Sequence, residues 1–176
     1  IFNEKEYNVQ KRRSPMAEFY EQVKERLMRY ARINTESDPH STSVPTTSCQ
    51  HDLASVIYEE LQKIGATNVY YDKDTCVVYG SLEANVKTGR AIGFVTHMDT
   101  APDASGKDVK PWVLENYDGN DIVLNKEKNI IMSPSVFPNL KQYIGQDLIL
   151  TDGTTLLGGD DKASIAVVMT LLEYLV

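Results

Sequence analysis

The sequence predicts an α/β fold, and three observations lead to this prediction. Two early segments carry apolar residues at helical spacing, short runs of β-forming residues follow them, and a last apolar helical pattern closes the sequence. This order of patterns is typical of helices packed on a sheet. A chain of 176 residues is long enough for one domain with a substantial core.

The first half of the chain opens with two predicted helices. Ser and Pro at 14–15 suit an N-cap and a first helical position, and the apolar spacing that follows predicts a helix over 15–32. Residues 34–49 are rich in Ser, Thr and Pro, which indicates a loop. A second helix is expected over 49–64, with Gly65 at its C-terminal end.

The middle of the chain changes to short runs of β-forming residues. Two runs, 69–71 and 76–79, flank a polar stretch and predict a β-hairpin. Residues 91–96 (AIGFVT) are apolar at successive positions, which predicts a buried central strand. Further strands are expected at 122–124 and 148–150.

The two ends of the chain suggest how it is organised. The first Met is Met16, so residues 1–15 are expected to be a leader or a cloning remnant, and residues 16–176 the N-terminal portion of a domain. Residues 162–176 predict a helix buried on most sides. That pattern has no C-cap signal, so the helix is expected to continue in a longer parent protein.

Composition limits the classes of function. The formal net charge is −7, which disfavours binding to nucleic acids and to anionic membranes. Two cysteines without C-x-x-C spacing are too few for a disulfide framework. No apolar run approaches the roughly 18 residues that a membrane span needs. We therefore expect a cytoplasmic protein.

The first motif with chemical meaning is His97-Met98-Asp99, directly after the predicted strand 91–96. Residues i and i+2 of an extended chain project to the same side, so His97 and Asp99 can address one point. This arrangement suits a metal ligand and the carboxylate that orients it. Taken alone, the motif is weak evidence, because a histidine near a strand end is more often a hydrogen-bonded structural residue.

The second motif, residues 158–162 (GGDDK), presents two carboxylates immediately before the last predicted helix. The simplest alternative is a surface turn in which Asp161 caps that helix. The two motifs together are more informative, because one offers an imidazole and the other offers carboxylates. Zinc binds His nitrogen and Asp oxygen together.

The strings at 93–103 (GFVTHMDTAPD) and 151–163 (TDGTTLLGGDDKA) resemble the peptidase T family. These are tripeptide aminopeptidases within the larger family of co-catalytic zinc exopeptidases and aminoacylases. The resemblance covers about 16–176 and includes shorter matches at Thr35-Glu36-Ser37, Ser105-Gly106-Lys107, Glu115-Asn116-Tyr117, Ser133-Pro134, Phe137-Pro138 and Gly145-Gln146.

The resemblance implies a two-zinc active site. His97 would bind one zinc, Asp160 would bridge both, and Asp99 would be the catalytic-site carboxylate behind His97. A cis peptide bond would join Asp160 to Asp161. The fold would be part of the mixed-sheet catalytic domain of a two-zinc exopeptidase, with helices packed on the sheet, truncated before the lid domain.

The function implied is removal of the N-terminal residue of short peptides, with tripeptides as the substrate class. The general-base glutamate and the remaining metal ligands would lie beyond Val176, so the chain alone is expected to be inactive and to bind zinc weakly. A related dipeptidase, aminoacylase or desuccinylase is one alternative, because the same motifs occur there. A non-catalytic α/β binding module is the other. The oligomeric state stays open.

Overall fold

The computed structural model describes residues 15–87 and 89–176. The predicted N-cap Ser14 and most of the predicted leader lie outside the described residues. The elements follow in the order α1 (Pro15–Ala31), α2 (Gln50–Ile64), β1 (Thr67–Asp72), β2 (Val77–Ser81), β3 (Trp112–Leu114), β4 (Ile122–Asn125), β5 (Ile130–Met132), a 3-10 helix (Pro138–Tyr143), β6 (Leu148–Leu150) and α3 (Gly159–Leu175).

The three α-helices pack around one apolar core, and both early helix predictions are confirmed. Helix α2 ends at Gly65, which takes a left-handed conformation with φ of 91° and donates its N–H back to the last turn. The apolar faces of α1, α2 and α3 together bury one cluster of residues. Its buried members are Tyr30, Leu53, Ile57, Leu61, Ile165, Ala166 and Met169.

A polar network crosses the edge of this core and joins all three helices. Arg26 on α1 donates to Thr170 on α3 at 2.8 Å and to Glu173 at 2.6 Å. The hydroxyl of Tyr30 donates to Glu60 on α2 at 2.6 Å. Because Tyr30 is fully buried, this hydrogen bond fixes α1 against α2 at one point inside the core.

The described strands form three separate two-stranded antiparallel sheets. The predicted hairpin is confirmed as β1–β2, with Tyr70 opposite Tyr79. The expected strands near 122 and 148 are also confirmed, the first paired with β5 and the second with β3. The chain is therefore an α/β protein in the broad sense, but within 15–87 and 89–176 the expected single mixed sheet is not formed.

The prediction of a buried central strand over 91–96 is wrong. This segment belongs to none of the three sheets, and Ile92 and Val95 are 82% and 97% exposed. It lines a cleft of about 960 Å³ between β2 and the apolar faces of α2 and α3. An apolar pattern indicates that a segment is suited to burial. Burial also needs paired strands and a covering layer, which the described part of the chain does not supply.

Helix α3 forms where a helix was expected, but it is buried along one face rather than on most sides. Its buried residues, Lys162, Ile165, Ala166, Met169 and Thr170, recur at spacings of three and four. Apolar residues on the other face, including Val167 and Leu175, are exposed. Within the described residues, no helix has the length and hydrophobicity to cross a membrane.

Candidate metal centre

His97 and Asp160 meet in space although 63 residues separate them in sequence. The Nε2 atom of His97 lies 3.0 Å from the Oδ1 atom of Asp160. The two motifs identified in the sequence therefore converge, as predicted. The imidazole and the carboxylate face each other directly, with no other side chain between them at that distance.

The other ring nitrogen of His97 is held by Asp99. Its Nδ1 lies 3.0 Å from the Asp99 carbonyl oxygen and 3.2 Å from the Asp99 Oδ1 atom. A protonated Nδ1 donates to these oxygens and fixes the plane of the ring. Asp99 therefore orients the imidazole so that Nε2 points to Asp160, which is the geometry expected for a ligand and its orienting carboxylate.

The surroundings of His97 favour its charged form. Burial lowers the pKa of His97, but the hydrogen bond with Asp160 and the charge and hydrogen bonds of Asp99 together outweigh it, so the net shift is upward. The His97 side chain is 53% exposed and that of Asp160 is 95% exposed. The pair is thus open to solvent and to a small solute.

The irregular first residues of α3 direct Asp160 toward His97. Gly158 takes a left-handed conformation with φ of 75°, and Asp160 and Asp161 have non-helical dihedral angles. The Asp160–Asp161 peptide bond is cis, as the resemblance implied. Regular helical geometry begins only after these residues, so Asp160 belongs to the turn rather than to the helix.

A short contact with the loop after α1 fixes the position of Asp99. Thr100 donates its N–H to the Thr35 carbonyl at 3.0 Å, and its own carbonyl accepts the N–H of Ser37 at 3.0 Å. Glu36 and Thr100 thereby form an isolated parallel bridge. Nothing in the sequence predicts a role for these residues at the site, although Thr35-Glu36-Ser37 is one of the strings that carry the resemblance.

Lys162 is a second residue to which the sequence analysis gave no role. It is 2% exposed, and its Nζ donates to the Ile33 carbonyl at 2.7 Å. Burial lowers the pKa of Lys162 to about 8. A lysine in a Gly-rich turn is ordinarily predicted to lie on the surface. The local sequence therefore does not predict this long-range contact.

The donor set fits two ligands of a zinc ion. Zinc bonds of roughly 2.0–2.2 Å in tetrahedral geometry place ligand atoms about 3.4 Å apart, close to the separation of the two facing atoms. His nitrogen and Asp oxygen are both zinc donors. Among the described residues, however, no group of three or more His, Cys, Asp or Glu side chains is arranged to hold a metal ion.

Comparison with known proteins supports the resemblance. The chain is 54% identical over 155 residues to a protein named peptidase T from Alkaliphilus oremlandii. This match covers 86% of the chain. It is 53% identical over 153 residues to one from Geobacillus kaustophilus and 49% identical over 156 residues to one from Clostridium acetobutylicum. The chain is homologous to peptidase T.

The match to peptidase T covers most of this chain but less than half of each relative. The aligned region spans 37% to 38% of the length of the three peptidase T proteins named above. No family model matches the chain. An aligned region that covers 86% of the 176 residues necessarily includes His97 and Asp99.

Proposed function

We propose that this chain forms part of a metal-dependent aminopeptidase that removes the N-terminal residue of short peptides, with tripeptides as the preferred substrates. The observation that carries the proposal is the convergence of His97 and Asp160 within a sequence homologous to peptidase T. A cytoplasmic location accompanies the proposal. It is supported by the two cysteines, Cys49 and Cys76, which are both free thiols.

In this proposal, His97 through its Nε2 atom and Asp160 through its carboxylate would hold zinc. Asp99 holds Nδ1 of His97 and so presents the opposite nitrogen to the ion. When bound there, zinc would supply a water of lowered pKa for hydrolysis. The exposed carboxylate of Asp160 leaves the site accessible to a peptide.

The 176-residue chain itself is proposed to turn over poorly. Its described residues bring together two ligands and one orienting carboxylate, and no larger metal-holding group is found among them. Loss of a general base alone typically lowers a rate by about 10²–10⁴-fold, and incomplete metal coordination lowers it further. Weak zinc binding without appreciable peptide hydrolysis is the expected behaviour.

Zinc binding is the direct test. Isothermal titration with Zn²⁺ is run on the unmodified chain, on His97→Ala and on Asp160→Asn. The controls are His40→Ala and Asp74→Asn, which alter exposed residues of the same types elsewhere. Each site variant should lower the affinity at least tenfold, and neither control should change it by more than about twofold. Equal affinity in all five proteins would remove the metal-site assignment.

Substrate class is tested with a full-length relative and this chain side by side. Both are incubated with Zn²⁺ and either a tripeptide, a dipeptide or an N-acyl amino acid, and release of the first residue or the acyl group is followed. The proposal expects the relative to prefer the tripeptide and this chain to be at least about 100-fold slower. Preference for the acylated substrate would favour the aminoacylase alternative.

A further inference from the structure

Both halves of the candidate metal centre are attached to one short piece of backbone. We call residues 33–37 the crossing segment. On one side, the Thr35 carbonyl and the Ser37 N–H both bond to Thr100, which directly follows Asp99. The Ser37 hydroxyl adds a third bond to the Thr100 carbonyl at 3.1 Å. The His97 half of the site is therefore held by the crossing segment, since 91–96 belongs to no sheet.

The Asp160 half is attached to the same segment through a side chain. Lys162 follows Asp160 by two residues, and its Nζ donates to the carbonyl of Ile33 at 2.7 Å. Ile33 is itself fixed, because its N–H donates to the Tyr30 carbonyl at 3.0 Å. The carboxylate of Asp160 is 95% exposed, so packing does not locate it. The anchored Lys162 is a fixed point two residues away from Asp160 along the chain.

The stem of Lys162 also lies against the turn that carries Asp160. A β-carbon built on Gly158 would lie 3.5 Å from both Cδ and Nζ of Lys162. The lysine side chain thus runs back along the turn before it reaches the crossing segment. Contact with Gly158 and the bond to Ile33 together restrict the positions that the three intervening residues, 159–161, can take.

We propose that Lys162 is a positioning residue that sets the place of Asp160 opposite His97 through its hydrogen bond to the Ile33 carbonyl. The proposal rests on the proposed function in one respect, namely that His97 and Asp160 share a metal ion. Lys162 touches neither the ion nor the substrate in this scheme. It acts on the geometry of the pair from a distance of two residues.

The chemistry of a buried lysine supports a geometric role over a purely stabilising one. Burying an amine is unfavourable unless it is well paired, and lysine is seldom fully buried. A methionine of similar length would fill the same space without that penalty. The amine therefore contributes the direction and length of one hydrogen bond, which an apolar side chain cannot reproduce.

The test compares Lys162→Met, which removes the donor, with Lys162→Arg, which keeps a charged donor. Lys63→Met is the matched control, because Lys63 is exposed and pairs with Glu59 on its own helix, at 3.8 Å. The first readout is the nuclear Overhauser effect between the His97 ring protons and the Asp160 β-protons in metal-free protein. The second is the Zn²⁺ affinity from calorimetric titration.

For Lys162→Met we expect loss of the Overhauser effect and a decrease of about tenfold in Zn²⁺ affinity, with an unchanged circular dichroism spectrum. Lys162→Arg and Lys63→Met should retain both signals. A folded Lys162→Met protein with both signals intact would overturn the proposal. Should that variant fail to fold, loss of the Overhauser effect in folded Lys162→Arg would overturn it, and retention would support it.

The two readouts separate this inference from the proposed function. If the unmodified chain binds no Zn²⁺, the metal assignment fails, yet the Overhauser effect in metal-free protein still decides whether Lys162 positions Asp160. If Zn²⁺ binds and depends on His97 but not on Lys162, the metal assignment stands and the positioning role is wrong.

Discussion

A β-carbon placed on Gly158 would lie 3.0 Å from the Cγ2 atom of Thr100. Gly158 precedes Asp160 by two residues and Thr100 directly follows Asp99, so this contact brings the two halves of the site together. Gly158 also has φ of 75°, a conformation that costs a residue with a side chain about 1–2 kcal/mol. Gly158→Ala should therefore destabilise the chain by about 1–3 kcal/mol, measured by urea unfolding.

The control for this substitution is Gly93→Ala. A β-carbon on Gly93 would meet nothing within 4 Å, and Gly93 is not among the glycines with positive φ. Its free energy of unfolding should stay within about 1 kcal/mol of the unmodified chain. Equal stability of the two alanine variants would contradict the close approach of Gly158 to Thr100.

The hydrogen bond from Tyr30 to Glu60 should contribute measurably to stability. Tyr30 is fully buried, and its hydroxyl donates to the carboxylate at 2.6 Å. Hydrogen bonds to charged groups are worth about 1.5–3 kcal/mol, so Tyr30→Phe should lower the free energy of unfolding by that amount. Tyr20→Phe, at an exposed position on the same helix, should change it by less than about 0.5 kcal/mol.

The raised pKa of His97 predicts a pH dependence of stability in metal-free protein. A pKa raised on folding gives a contribution that is fully present below the unfolded value of 6.5 and is lost as pH rises through the folded value. His97→Gln should therefore lower stability relative to the unmodified chain more at about pH 5.5 than at about pH 8.5. Thermal unfolding in a chelator at both pH values measures this. A larger difference at the higher pH would have the wrong sign.

The exposed apolar segment 91–96 should promote self-association. Ile92 and Val95 are almost wholly exposed, and an unpaired extended segment offers free backbone hydrogen-bonding groups. The apparent mass in sedimentation should rise with concentration. The double substitution Ile92→Lys with Val95→Lys should suppress that rise, whereas Val136→Lys, at another exposed valine, should not. A mass independent of concentration in the unmodified chain would refute this prediction.

The parts of the fold that depend on local sequence were predictable. Helix α2 was predicted from its apolar spacing and from Gly65, and both signals act within a few residues. The β1–β2 hairpin likewise depends on neighbouring residues. Segment 91–96 was mispredicted, because burial of a strand depends on distant partners that its own pattern does not contain.

The site was predictable only in part, for the same reason. His97 and Asp160 carry recognisable chemistry in recognisable motifs, so their convergence could be expected from the resemblance. The contact of Lys162 with Ile33 spans 129 residues and uses a backbone carbonyl, which has no sequence signature. The parallel bridge between Glu36 and Thr100 likewise has no local sequence pattern that would predict it.

The crossing segment has a consequence for protein engineering. A designer who transplants the His97–Asp160 pair into another scaffold would have to move three pieces of chain. Residues 33–37 would have to accompany the two motifs, because each motif docks on them. Grafts that carry only 97–100 and 158–162 would leave the imidazole and the carboxylate without the backbone segment to which both motifs are hydrogen-bonded. Residues 33–37 are not proposed to bind zinc, yet they would determine whether the transplanted His97 and Asp160 still face each other.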